Sequence, residues 1–155
     1  MKKVLVPIDF SDAADQVIEK VAKLICCSET TICLMHIVEP SICYEVTGVL
    51  PDEVPFPVLD SEGRSEVKVA ASKALHEYAD KLRKLSPAKV EEIVSDEFEV
   101  SDAIISYAQE NDIDAIVLGK HGKGFLATVL VGSVASSVVK HSSIPVLVIP
   151  ISSGK

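Results

Sequence analysis

The order and character of the segments predict an α/β fold, a parallel sheet with helices on both faces. Two observations carry that prediction. Segments apolar at every position alternate strictly with segments whose apolar residues recur at helical spacing, and such β-α alternation builds parallel sheets. Strands that are apolar throughout, rather than at every second residue, are those covered on both faces. The length of 155 residues suggests one domain spanning residues 1–155.

Val4-Leu5-Val6-Pro7-Ile8 is the first such run. Asp9-Phe10-Ser11-Asp12 offers helix N-caps, and Ala13, Val17, Val21, Leu24 and Ile25 follow at helical spacing. Thr31 to Val38 reads as a second buried strand. The segment from Glu39 to about Asp60 holds Pro40, Gly48, Pro51, Pro55 and Pro57. It is expected to be a long irregular loop, of the kind that covers a site or moves over it. Val67, Ala71, Ala74, Tyr78, Leu82 and Leu85 mark a long second helix, stopped by Ser86-Pro87. Lys89 to Ser95 is a weaker strand with acids on one side. Ser101 or Asp102 would cap a third helix carrying Ile104, Ile105 and Ala108. Ala115-Ile116-Val117-Leu118 is the fourth strand, closed by Gly119. A glycine-rich loop leads to a fourth helix beginning at Gly132-Ser133, and Pro145 to Ile149 is the last strand.

A chain 48% apolar and 25% charged is globular rather than disordered. Its net charge of −8, from 23 acids against 15 bases, argues against a nucleic-acid partner held by a general basic surface. Lys2 and Lys3 precede an apolar stretch, but Pro7 and Asp9 interrupt it too early for a signal peptide. The longest uncharged window, between Lys123 and Lys140, is shorter than a membrane span and is broken by glycines and serines. A cytoplasmic protein with no membrane partner is expected. Cys26, Cys27, Cys33 and Cys43 fit no metal-ligand spacing and read as small buried hydrophobes. His36 on an apolar strand reads as a satisfied core histidine, and His76 and His141 as helix-surface residues.

Four of the seven glycines lie between residues 119 and 132. Glycine between a strand and a helix lets a ligand approach the main chain. Unpaired N–H groups at the start of the following helix favour an anion such as phosphate. Ser133 can add its hydroxyl, or simply cap the helix; Lys120 and Lys123 read as solvated loop lysines. The spacing is Gly119, two residues, Gly122, nine residues, Gly132, then Ser133. With the Pro-x-Asp end of the first strand, this arrangement resembles the ATP-binding branch of the universal stress protein family over nearly the whole chain.

That resemblance implies an open five-stranded parallel sheet in the order 3-2-1-4-5, Rossmann-like and of the adenine nucleotide alpha hydrolase type. In such sheets ligands sit outside the carboxyl ends of the strands where the winding reverses, here between Pro7-Ile8-Asp9 and Leu118-Gly119. By the same resemblance, Asp9 and its neighbours, with Ile37 and Leu118, would meet adenine. Gly119, His121 and Gly122 would line the ribose and phosphate side, and Gly132, Ser133 and Val134 would hold phosphates. Ala135 stands where a hydroxyl residue can occur in the family. The resemblance further implies ATP or AMP as ligand, with Mg²⁺ carried on the phosphates, and a homodimer paired through Pro145 to Ile149.

No nucleophile–base–orienter set is visible, so a nucleotide-binding regulatory protein is expected rather than an enzyme. An interaction module of the same fold with an empty pocket is the alternative. An adenylating enzyme of the ATP pyrophosphatase type is remoter. Its Ser-Gly-Gly-x-Asp-Ser loop is replaced here by Asp9-Phe10-Ser11-Asp12-Ala13.

Overall fold

The computed structural model describes residues 1–11, 13–39, 42–45, 56–59, 61–120 and 132–151, with side chains described outside 42–45, 56–59 and 61–64. Its elements in chain order are β1 (Lys3–Pro7), α1 (Ala14–Leu24), β2 (Thr31–Val38), β3 (Ile42–Glu45), β4 (Phe56–Leu59), α2 (Ser61–Leu85), β5 (Lys89–Asp96), α3 (Val100–Glu110), β6 (Ala115–Lys120), α4 (Ser133–His141) and β7 (Val146–Pro150). Five strands form one sheet in the order β5-β2-β1-β6-β7, every pair parallel. Counting only these five strands, the order is the expected 3-2-1-4-5.

Alternation along the strands divides the core in two. Val4, Val6, Ile8, Ile32, Leu34, Val117 and Ile149 face α1 and α2, where they meet Val17, Ile18, Val21, Leu75, Ala79 and Leu82. Leu5, Cys33, Met35, Ile37, Ile116 and Leu118 face the opposite way, against Ala103, Ile104 and Ala108 of α3 and Ala135 and Val138 of α4. Burial on both faces is why the central strands show no polar alternation in sequence.

Several local expectations are corrected. The segment after β2 is not wholly irregular: β3 and β4 pair antiparallel, from Ile42↔Leu59 to Glu45↔Phe56. Pro57 sits in β4, which a two-stranded pair tolerates because each strand is an edge. The second helix begins at Ser61, and its buried stripe is Ala71, Leu75, Ala79 and Leu82, while Val67 and Leu85 are exposed. Its many alanines left the helical phase open by one residue. Helix α1 starts after Ala13 with no side-chain cap, and α3 starts after Glu99, so Ser101 and Asp102 lie in its first turn.

Cys33 is buried as expected, but Cys26 and Cys27 are exposed because they follow the last turn of α1. Burial, reinforced by the charge of Glu91, pushes the Cys33 thiol up to about 11, so it stays protonated at neutral pH. Cys43 lies outside the described side chains. His76 and His141 are exposed, as expected. Among the described residues no helix is long and apolar enough to cross a membrane.

Candidate functional site

The pairing along β1 opens the site. On one side β1 is laddered to β2 from Lys3↔Thr31 through Pro7↔Met35. On the other side it meets β6 only at Val4↔Ala115 and Leu5↔Ile116. Beyond these residues the two strands part, while β6 stays paired to β7 as far as Lys120↔Pro150. The winding of the sheet reverses at this point, so no helix crosses over the gap. A cleft of about 540 Å³ results, within the usual range for a small-molecule site.

Nine of the sequence-predicted site residues line this cleft. Pro7, Ile8 and Asp9 come from the end of β1, Ile37 from the end of β2, and Leu118 and Gly119 from β6; Gly132, Ser133 and Val134 form the start of α4. His121 and Gly122 lie outside the described residues, as does Lys123. Lys120 is not a loop residue: it belongs to β6, in register with Pro150.

The two described glycines of the motif do different things. A Cβ at Gly119 would approach Val17 Cγ2 and Ile151 Cδ1 to 2.8 Å each, so packing alone accounts for a glycine there. Gly132 is the N-cap of α4 with φ −53° and ψ 160°, a conformation open to any residue, and a Cβ there would meet nothing within 4 Å among the described residues. Among the described residues no packing contact demands glycine at 132. Having no side chain, Gly132 cannot cap the helix, so the first N–H groups of α4 need a partner from elsewhere.

Asp9 is exposed, and its Oδ1 accepts the Ser11 N–H at 3.1 Å. That bond shapes the turn leading to α1, and Ser11 in turn bonds the Ala13 and Ala14 N–H groups through its hydroxyl and carbonyl. Phe10 between them has φ 55°, left-handed backbone that a bulky residue adopts only under constraint. Its ring stacks on His36 with centroids 3.8 Å apart, and on Tyr78 of α2 at 5.7 Å.

His36 is satisfied, as expected: its Nδ1 donates to the Ile8 carbonyl at 2.8 Å. It also lines the cleft, however, together with Glu39, Val100, Ala135 and Ile151. Apart from Ala135, which follows the motif, these residues carried no motif. The one available signal was position, since each stands at a strand's carboxyl end or at the loop or helix start that follows one. Ala135 is buried, so it offers the cleft a backbone N–H and a methyl rather than a hydroxyl. Among the described residues no three metal-ligating side chains gather. The cleft is mainly apolar, with polar groups at the start of α4 and at Asp9 and Glu39.

The model of the universal stress protein family matches residues 1–150. The chain belongs to the universal stress protein family. A universal stress protein of Methanocaldococcus jannaschii is 26% identical over 96% of this chain and 94% of its own length. Among solved structures, the universal stress protein from Archaeoglobus fulgidus in complex with dAMP is similar at TM-score 0.63 and 23% identity, over 98% of each chain. Another universal stress protein, in complex with cAMP, is similar at TM-score 0.67 and 20% identity, over 97% of this chain and 98% of the other. At these identities the structural likeness establishes the fold alone.

Proposed function

We propose that the protein binds an adenine nucleotide, ATP or AMP, in the cleft between β1 and β6, and serves as a cytoplasmic regulatory sensor rather than a turnover enzyme. The observation that carries this reading is Gly132. No described residue crowds the position, yet glycine stands there in place of a side-chain cap, at a helix start on the cleft wall. A phosphate approaching the N–H groups of Ser133, Val134 and Ala135 needs that space and satisfies those donors.

The apolar part of the cleft, with Ile8, Ile37 and Leu118, suits a purine face, and Asp9 stands beside it. His121 and Gly122 complete the set in this reading. The cAMP and dAMP held by the two structural relatives support the same ligand class. ATP would bring Mg²⁺ on its own phosphates, which suits an ion that keeps most of its water and takes few protein ligands.

Thermal unfolding of nucleotide-stripped protein with ATP and Mg²⁺, AMP or GTP tests the proposal. Ligand at about 100 times its Kd adds about 2.7 kcal/mol. Each kcal/mol moves the midpoint by roughly 2–4 °C at this size. A rise of several degrees with adenine nucleotides, absent with GTP and lost in Gly132→Val, is the expected result. No rise with any nucleotide would overturn the reading in favour of an interaction module.

A further inference from the structure

The cleft does not end at the start of α4. A second hollow of about 480 Å³ lies against it, lined by Glu39, Phe98, Glu99, Val100, Ser101, Ser133, Val134 and Ser137. Glu39, Val100, Ser133 and Val134 line both. The first turn of α4 is therefore the wall that the two hollows share.

The second hollow has its own chemistry. Phe98, in the turn between β5 and α3, is 58% exposed. Its face is available for stacking. Glu99 is the N-cap of α3, yet its side chain makes no capping bond. Neither its carboxylate nor that of Glu39 has a partner among the described residues. Carboxylates repel phosphate but accept hydrogen bonds from sugar hydroxyls and base amino groups. The hydroxyls of Ser101 and Ser137 complete the lining. The phosphate-favouring N–H groups of Ser133 and Val134 thus lie on the shared wall with Glu39 beside them, and Phe98, Glu99, Ser101 and Ser137 lie beyond it.

We infer that the double cleft takes a dinucleoside polyphosphate, one nucleoside in each hollow and the phosphate bridge across Ser133 and Val134. This rests on the nucleotide reading above and specifies its ligand class. A second nucleoside, stacked on Phe98, adds affinity that a mononucleotide with the same phosphate chain lacks.

Calorimetric titration of nucleotide-stripped protein with diadenosine tetraphosphate and with adenosine 5′-tetraphosphate tests it, because the two differ by one nucleoside. The dinucleotide should bind one per chain and about tenfold or more tighter, the scale of one base–aromatic stack. Phe98→Ala should abolish that gain and leave adenosine tetraphosphate unaffected; Phe98→Tyr should keep it. Equal affinities, a gain that survives in Phe98→Ala, or one dinucleotide shared between two chains would overturn the inference while leaving mononucleotide binding intact. Failure of adenosine tetraphosphate itself to bind would overturn both readings.

Discussion

Gly119 and Gly132 look alike in a motif and differ in what surrounds them. At Gly119 a methyl group would press on Val17 and Ile151 at 2.8 Å. Gly119→Ala should therefore cost about 1–3 kcal/mol, typical of overpacking, and lower the thermal midpoint by several degrees. Gly132→Ala should cost no more than about 1 kcal/mol, the N-cap preference of glycine over alanine, because a Cβ there crowds no described residue. Calorimetric unfolding of both variants without nucleotide checks the pair; equal losses would mean that Gly132 too serves packing. The glycine spacing was legible in the sequence, but which glycine the fold needs was not. That depends on Val17 and Ile151, residues far from the motif along the chain. The stacking of Phe10 on His36 was missed for a related reason. A stack between a loop ring and a strand ring leaves no periodicity, and the left-handed backbone of Phe10 is marked by no glycine.

Elements meet at the amino ends of the strands, the edge of the sheet away from the cleft, through Asp114, just before β6. Its carboxylate accepts the N–H of Lys3 at 2.9 Å and also that of Lys2, so it ties the start of β6 to the start of β1. The Lys3 and Lys2 N–H groups hold its carboxyl below the ordinary 3.8. A carboxyl depressed in the folded state stabilises above its unfolded value, and that stabilisation is lost as pH falls through the folded one. Asp114→Asn should lower the urea midpoint at pH 7 and make little difference near pH 2. A deficit of equal size at both pH values would count against the charge. Most elements were legible because their apolar pattern is continuous or helical. The β3–β4 hairpin was not, since four-residue strands among prolines give no pattern to read. The phase of α2 escaped because alanine fits either side of a stripe.

At the scale of the molecule, β7 closes one edge of the sheet, with Leu147 47% exposed upon it and Val139 of α4 exposed at 51%. An apolar edge strand invites pairing, and a two-fold partner of the same kind satisfies it. We propose a homodimer joined through β7. Val148→Lys should reduce the mass in light scattering toward that of one chain; an unchanged mass would sink the proposal. The strand order was legible through the family resemblance. The meeting of both chain halves at one cleft followed from it, because β1 and β6 flank the reversal. The hollow beside Phe98 had no such signal, since it depends on how α3 and α4 lie together.

The short ladder between β1 and β6 also sets a timetable for synthesis. In the finished sheet β1 is the central strand, yet its partner on that side begins at Ala115. While a ribosome makes the intervening hundred or so residues, at about 5–20 residues per second, roughly 5–20 s pass. Over that interval Val4-Leu5-Val6 is an unpaired edge, among the most apolar stretches of the chain. The strand at the heart of the native protein is the exposed margin of the nascent one. Whatever shields it then, whether β2 and α1 folding early or a chaperone, acts before any ligand site exists.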